Sequence, residues 1–585
     1  MAASSAVLLA AADTYVVVLA LTDMMAGVGL GIESLQRATP IISGFLLGYI
    51  AVLPLIGRLA DLLEHSRVLL GCLVVFVTGS VVTALAVELP VLVAGRFIQG
   101  VGGGGLVPAT LAIVAALWPV ERRGTPLGVV GAVQELGAVL GPVLGAVILA
   151  VSGWRAIFWF NAAVGVVLYA VVRALSRRSP AAGSPTVRGG RDARVAGAAA
   201  RTARVALALV AAALGVLTLW APDRLVTDVT LGIPFVPFVG QSRVLTPIGV
   251  ATLLLLVVLA GVTARRWAPT LLRADLLGAV LVAVALGSLV LAFSSADPEK
   301  EVVGPLGHIL LPVGALALLL AAWRHRTAAN PLVRRGVLHC RGGVAVVVSL
   351  LAGAALVSVI VDVPILARLT LTDSQTTAAL VLVRFLVAVP VGALLGGWAL
   401  RALGEGVVAA VGLAIAGGGL LVMAGWDHGS LASSGSATLV LAAVGLGLGL
   451  SLAPVNAAAL ADSPDDAHGV AGALVVVARM VGMVTGLALL TAVGLHRYYR
   501  AVARLPDQGD ARALLDAALV QVQTVFLGAA VAALLGAAAS LAMGLRRRGG
   551  PGAVQAPGAG KLDTEGGSSS FRSRVTPSGG HRHGS

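Results

Sequence analysis

"GAVQELGAVLGPVLG" spans Gly131–Gly145 and is almost free of polar groups, yet Gln134 and Glu135 stand side by side within it. Gly137, Gly141 and Gly145 recur every fourth residue, with Pro142 among them. Residues four apart share a helix face. The glycines therefore make a smooth stripe on which another helix can pack closely, and Pro142 can bend the helix beside it. On a period of 3.6 residues, Glu135 points roughly 100–160° away from most of that stripe. The apolar run 123–150 continues for more than ten residues on either side of Glu135, so the side chain cannot reach water by snorkelling. An exposed charge at mid-bilayer costs about 2.5–3.5 kcal/mol even on the lenient insertion scale. Glu135 is thus expected to face a cavity or a partner. One reading has it bind and release a proton, as a proton-coupled carrier requires. The other has it buried and hydrogen-bonded, fixing the packing only.

The rest of the chain repeats this pattern on a larger scale. Of its 585 residues, 58% are hydrophobic and 12% charged, against about a quarter charged in a soluble domain. Mean hydropathy is +0.98. About sixteen apolar runs follow one another, at 6–26, 40–60, 67–88, 91–116, 123–150, 154–174, 204–221, 244–262, 272–293, 305–324, 340–363, 376–400, 405–424, 436–460, 468–495 and 515–545. Most can cross about 30 Å of hydrocarbon at 1.5 Å per residue. The class is an all-α polytopic membrane protein. The first run reads as a retained span rather than a cleaved signal, because so many others follow it.

Charge sets the orientation. The net charge of +14 is not a nucleic-acid signature, because the arginines sit in short loops between apolar runs. Basic loops follow the even-numbered runs, at 57–67, 119–123, 173–204, 264–273, 324–335 and 401–405, and again after the last run at Arg546, Arg547 and Arg548. Two segments depart from the alternation: the acidic 462–466 and the outer Arg497, Arg500 and Arg504. The basic side is the cytoplasmic one, which puts both termini in the cytoplasm and the protein in the plasma membrane. Residues 175–203 read as a basic cytoplasmic linker and 549–585 as a disordered tail rich in Gly, Ser and Pro. The outer segment 222–243, broken by Pro234 and Pro237, suits the membrane surface, and 294–305 reads as a loop or a small hairpin. Cys72 and Cys340, far apart, give neither a disulfide framework nor a metal site.

Several further polar groups lie within apolar runs. Asp13 in the first run reads as a cavity-facing proton or cargo group, or as a structural partner for an arginine. Asp23 lies nearer the outer end. Arg96 and Gln99 open "RFIQGVGGGG"; Asp362, Arg384 and Arg479 fall within later runs. Each is a candidate cavity charge or gate, and equally a candidate lock. Their pairing is not readable from sequence. There is no Walker motif, nucleophile elbow or His-Glu-x-x-His set. Neither an enzyme nor an ATP-driven pump is expected, no cofactor or metal is implied, and the driving force should be a proton gradient.

These motifs together resemble the major facilitator superfamily, specifically its drug:proton antiporters with more than twelve spans. "GRLAD" at Gly57–Asp61, "RFIQG" at Arg96–Gly100, "ELGAVLGPVLG" at Glu135–Gly145 and "GWRAIFWFNAAVG" at Gly153–Gly165 match its motifs. "DTYVVV" from Asp13, "ATPIISGFLLGYIA" from Ala38, "VDVP" from Val361 and "ALVVVARMVGM" from Ala473 resemble a mycobacterial branch that exports triacylglycerides and drugs with a periplasmic lipoprotein. The resemblance implies two six-helix halves, residues 1–174 and 336–548, with four intervening helices in 204–335. It implies alternating access, Asp13 and Glu135 as proton-coupling groups or groups that line or gate the central cavity, and a conformational role for Gly57, Asp61, Arg67, Gly137, Gly141, Pro142 and Gly145. It implies a lipid or amphiphilic cargo, a possible extracytoplasmic lipoprotein partner, a monomer, and an actinobacterial source. Three departures stand out. Glu64 replaces the usual glycine after "GRLAD", leaving Arg67 of its basic cluster. Residues 204–262 add a helix pair to the family's fourteen spans. Arg384 stands where an apolar or aromatic residue is ordinary.

Overall fold

The computed structural model describes residues 2–30, 35–119, 122–178, 191–220, 233–238, 242–294, 304, 306–338, 341–371, 375–432, 434–461, 463–464, 467–505 and 510–544. The tail 549–585, most of the 294–305 loop and much of 222–243 lie outside them. Sixteen long helices run through the described residues. They are α1 (Ala2–Gly27), α2 (Leu35–Leu62), α3 (His65–Leu85), α4 (Leu89–Leu117), α5 (Gly124–Val151), α6 (Arg155–Arg178), α7 (Arg191–Trp220) and α8 (Pro247–Arg273). They continue with α9 (Leu276–Ser294), α10 (Gly307–Thr327), α11 (Arg341–Thr370), α12 (Gln375–Ala399), α13 (Glu405–Met423), α14 (Ser434–Ala461), α15 (His468–Val502) and α16 (Ala511–Ser540). Fifteen carry a segment long and apolar enough to cross a membrane, and α1 contributes a shorter apolar segment, Ala2–Thr14. Helix is the expected answer to this composition, because in lipid every backbone N–H and C=O must be satisfied within the segment. Helix starts are marked locally: Pro90 lies in the first turn of α4, and Pro247 opens α8 behind Thr246, whose hydroxyl accepts from Gly249 N at 3.1 Å. The helix α7 begins at Arg191, so it reaches into the segment read as a linker.

Packing reveals an internal repeat. In the first six helices the main pairings are α1–α5, α2–α4, α3–α4, α3–α6 and α1–α6. In the last six they are α11–α15, α12–α14, α13–α14, α13–α16 and α11–α16, with α15–α16 in addition. Adding ten to each helix number carries the first set into the second. The two groups meet through α2–α15 and α5–α12, and the same mapping exchanges these two seams. That is the contact pattern of parallel repeats about an axis along the membrane normal.

Both seams are tightest at the end bearing the basic loops. A Cβ at Gly57 would meet Gly469 O at 2.6 Å, and one at Gly128 would meet Ala393 O at 2.8 Å and Gly397 Cα at 2.9 Å. Only glycine lets the backbones come this close. Between the groups lies a shared apolar cluster with Phe45, Leu53, Val107, Leu460 and Val476.

The four intervening helices pack unequally. The α9–α10 pair lies on α2, with a lighter contact to α15, whereas α7 and α8 pack chiefly on each other. Asp275 closes the α8–α9 corner. It is buried, with a left-handed φ of 56°, and accepts from Arg324 Nε at 2.6 Å, Gly278 N at 3.1 Å and Leu332 N at 3.1 Å. One side chain thereby ties the start of α9 to the end of α10 and the strand of chain leading to α11.

Candidate functional site

The glycine stripe of α5 lies against α1. A Cβ at Gly137 would meet Leu8 O and Ala11 Cβ at 2.7 Å, one at Gly141 would collide with Ala12 O, and one at Gly145 would meet Val16 Cγ1 at 3.2 Å. Pro142 lies within the helix, which runs on to Val151. With its stripe committed to α1, α5 turns Glu135 toward the opposite group of helices. There Arg479 Nη1, on α15, donates to Glu135 Oε1 at 3.2 Å, and each residue is only 8% exposed. α15 repeats the design of α5: Gly482 packs on Leu350 of α11 and Gly486 on Ala354. Arg479 precedes Gly482 and Gly486 by three and seven residues, as Gln134 precedes Gly137 and Gly141. The acid and the base therefore occupy nearly equivalent positions in the two repeats and meet between them.

Three small cavities surround the pair. The first, about 40 Å³, has Phe45, Tyr49, Gln134, Glu135, Arg479 and Met483 in its wall. The second, about 30 Å³, is lined by Arg479, Gln134, Ser349, Ser451 and Asn456 among others. The third, about 10 Å³, touches both Glu135 and Arg479. A water needs about 10–15 Å³ by this measure. These cavities have room for a few waters and not for a lipid molecule in this conformation. Among the described residues, no group of three or more His, Cys, Asp or Glu is placed to hold a metal ion.

The other expected residues divide sharply. Asp13 lines none of these cavities. It is fully buried inside the first group, where it accepts from Arg96 Nη1 at 2.8 Å, Gln99 Nε2 at 3.0 Å and Asn161 Nδ2 at 2.5 Å. Gln99 Nε2 also donates to Ser80 Oγ at 2.9 Å, and the Arg96 guanidinium lies 4.3 Å from the Phe45 ring centroid. Of the two readings of Asp13, the geometry is that of an arginine partner joining α1, α4 and α6. Its carboxylate is committed to the interior of one group. Asp23 is exposed near the end of α1.

Asp61 accepts from Gly469 N at 2.5 Å and Val470 N at 3.1 Å, so it sits at the N-terminus of α15 with Gly57 one turn away. A helix N-terminus offers free N–H groups and a partial positive charge to such a carboxylate. Arg67 takes no part in this contact: it is exposed and pairs with Glu64 at 2.8 Å. The substitution of Glu64 for glycine gives Arg67 a local partner. Asp362 is buried on α11 with Oδ2 lacking any hydrogen bond. Arg384 is half-buried and, like Asp362, lines none of the three cavities.

Sequence reading missed Asn161, Ser80, Gly469, and the pair Gly482 and Gly486. The last two carried a signal, the same four-residue spacing that drew attention to α5. Asn161 and Ser80 carried none, because single polar residues in apolar runs are common at helix contacts.

Comparison with known proteins places the chain. The profile of the Major Facilitator Superfamily matches residues 3–323. This chain belongs to that superfamily. It is 37% identical to a triacylglyceride transporter of Mycolicibacterium hassiacum, over 84% of this chain and 78% of the relative. It is 33% identical to a triacylglyceride transporter of Mycolicibacterium smegmatis, over 92% of this chain and 85% of the relative. A triacylglyceride transporter of Mycobacterium tuberculosis is 35% identical, over 86% of this chain and 84% of the relative. Among solved structures, the human organic anion transporter MFSD10 (TETRAN) aligns with a TM-score of 0.51 at 14% identity, over 92% of this chain and 98% of the other. That likeness concerns the fold alone.

Proposed function

We propose that this superfamily member exports a lipid or lipid-like envelope component by alternating access, driven by protons, with Glu135 and Arg479 as the coupling pair. The observation that carries the reading is the buried Glu135–Arg479 contact, which joins the two repeats where the central cavities meet. With Glu135 ionised, the pair holds α5 and α15 together by a charge-assisted bond in a low-dielectric setting. A proton on Glu135 removes the charge attraction and leaves a weaker hydrogen bond. The repeats can then part around the axis, opening the centre to cargo. Cargo and proton would act on one equilibrium, so each shifts the affinity for the other. Asp13, held by Arg96, Gln99 and Asn161, keeps the first group rigid while this happens. The relatives named as triacylglyceride transporters supply the cargo class.

In this reading the basic loops face the cytoplasm, the closed glycine seams close the inner side, and an extracytoplasmic lipoprotein takes the cargo from the outer side. The protein works as a monomer. Efflux of amphiphilic drugs is a second reading, favoured by the wall of the first central cavity. Phe45, Tyr49, Met480 and Met483 lie there, and methionine adapts to varied apolar shapes.

The test is Glu135→Gln in proteoliposomes with an imposed proton gradient. Proton-dependent lipid export should be lost while the protein remains folded and monodisperse. Unchanged export by that variant would overturn the coupling role. A dye substrate transported in place of triacylglyceride would favour the second reading.

A further inference from the structure

Arg384 reads from sequence as a cavity charge or gate, or as a lock, and in the fold it is half-buried beside an exposed face of α12. Along α12, Leu380, Val387, Val391, Leu394 and Trp398 are all exposed. They recur at alternating spacings of seven, four, three and four residues, which is one helix face. Arg384 fills the gap in that stripe, four residues after Leu380 and three before Val387. The other faces of α12 are occupied. Gly392 and Gly396 pack on Leu446 and Leu450 of α14, while Ala393 and Gly397 pack on Gly128 of α5. The stripe that remains faces lipid.

An arginine in that stripe has a problem of chemistry. Its Nη1 is buried with no acceptor. α11, a lighter neighbour of α12 than α14 or α5, carries Asp362, but the two do not pair, and Asp362 Oδ2 is itself buried and without a partner. The α-carbon of Arg384 lies nine residues into α12, about 13 Å along the axis at 1.5 Å per residue. Leaving a guanidinium unsatisfied at that depth is costly. Its side chain can extend toward the near membrane surface, which is the one opposite the basic loops. The acceptors available there are headgroup oxygens, and the guanidinium fork matches phosphate better than any other side chain does. Arg368, exposed in the last turn of α11, puts a second cation at the same end of the same hairpin.

We propose that Arg384 binds the phosphate of an anionic membrane lipid on the lipid-facing side of α12, in the leaflet opposite the basic loops, with Arg368 adding to the positive field. The site is separate from the central cavities and does not rest on the export reading. It gives the membrane a fixed hold on the second repeat beside the α11–α12 turn.

The experiment uses the full chain in nanodiscs of phosphatidylcholine with a minor fraction of phosphatidylglycerol, followed by native mass spectrometry of retained lipid. Arg384→Leu should retain about fivefold less phosphatidylglycerol, the ratio given by about 1 kcal/mol for one basic group at an anionic surface. Phosphatidylcholine retention should not change, and Arg384→Lys should keep most of the preference. Leucine restores an unbroken apolar stripe, so this variant should fold. Should it not, Arg384→Gln serves in the same measurement. Equal phosphatidylglycerol retention by the wild type and the neutral variant would overturn the site. So would stabilisation by inorganic phosphate alone equal to that by phosphatidylglycerol, since the ligand would then be a soluble anion.

Discussion

Among the described residues, two carboxylate–arginine pairs are buried at both partners, and they are built differently. Asp13 meets Arg96 inside one repeat, with Gln99, Asn161 and Ser80 extending the network, and Asp13 lines none of the three central cavities. Glu135 meets Arg479 across the two repeats through one bond of 3.2 Å, with small cavities on several sides. The first pair is held by several side-chain hydrogen bonds within one unit, although Arg96 Nε is buried without a partner. The second has unused hydrogen-bonding capacity and room for water. A buried pair tied by several bonds inside one unit holds that unit together. A pair with one bond, set on the surface between two bodies, can be broken and remade. The difference separates a lock from a switch.

The largest expected effect tests the lock. Asp13→Ala leaves Arg96 buried without its counter-charge and should cost about 3–5 kcal/mol. It should appear as a large fall in Tm and loss of monodisperse protein, and a stable Asp13→Ala variant would contradict the assignment. Next in size come the glycine contacts that support each half of the switch. Gly482→Val forces a side chain into Leu350 O of α11 and should cost about 1–3 kcal/mol by overpacking. Gly141→Val, against Ala12 O of α1, should match it if the two repeats are equivalent. Thermal unfolding of both measures that equivalence.

The switch itself should be milder in stability and more severe in transport. Glu135→Gln should lower stability by roughly 1–2 kcal/mol, the loss of a charge-assisted bond, while proton-driven transport stops. A double-mutant cycle with Arg479→Gln should give a coupling energy of that size, and a value near zero would show that the pair does not hold the repeats together. The smallest effect belongs to Arg67. Its exposed pair with Glu64 is worth about 0–1 kcal/mol, so Arg67→Ala should change Tm and transport little. Asp61→Asn, at the N-terminus of α15, should exceed it in both.

Hydropathy and loop charge made the helical class and the succession of spans legible, because a bilayer imposes its thickness on each segment separately. The stripe Gly137, Gly141 and Gly145 was legible for a similar reason: helix periodicity is local. The mid-span charges announced themselves by their cost. Their partners did not. Asp13 and Arg384 were each open between cavity and lock; Arg384 is half-buried beside the exposed stripe of α12, and Arg67, read with Gly57 and Asp61 as a conformational motif, pairs with Glu64.

By itself, then, the sequence determined that the chain is a bundle of membrane-crossing helices, where the helices can approach closely, and which charges lipid would not tolerate alone. The tertiary structure alone decided that Glu135 finds Arg479, 344 residues away, and that Asp13 turns inward to Arg96. The physical reason is range. Periodicity and hydropathy act over a few helical turns, but the partner of a buried charge is set by which helix of the other repeat packs beside it.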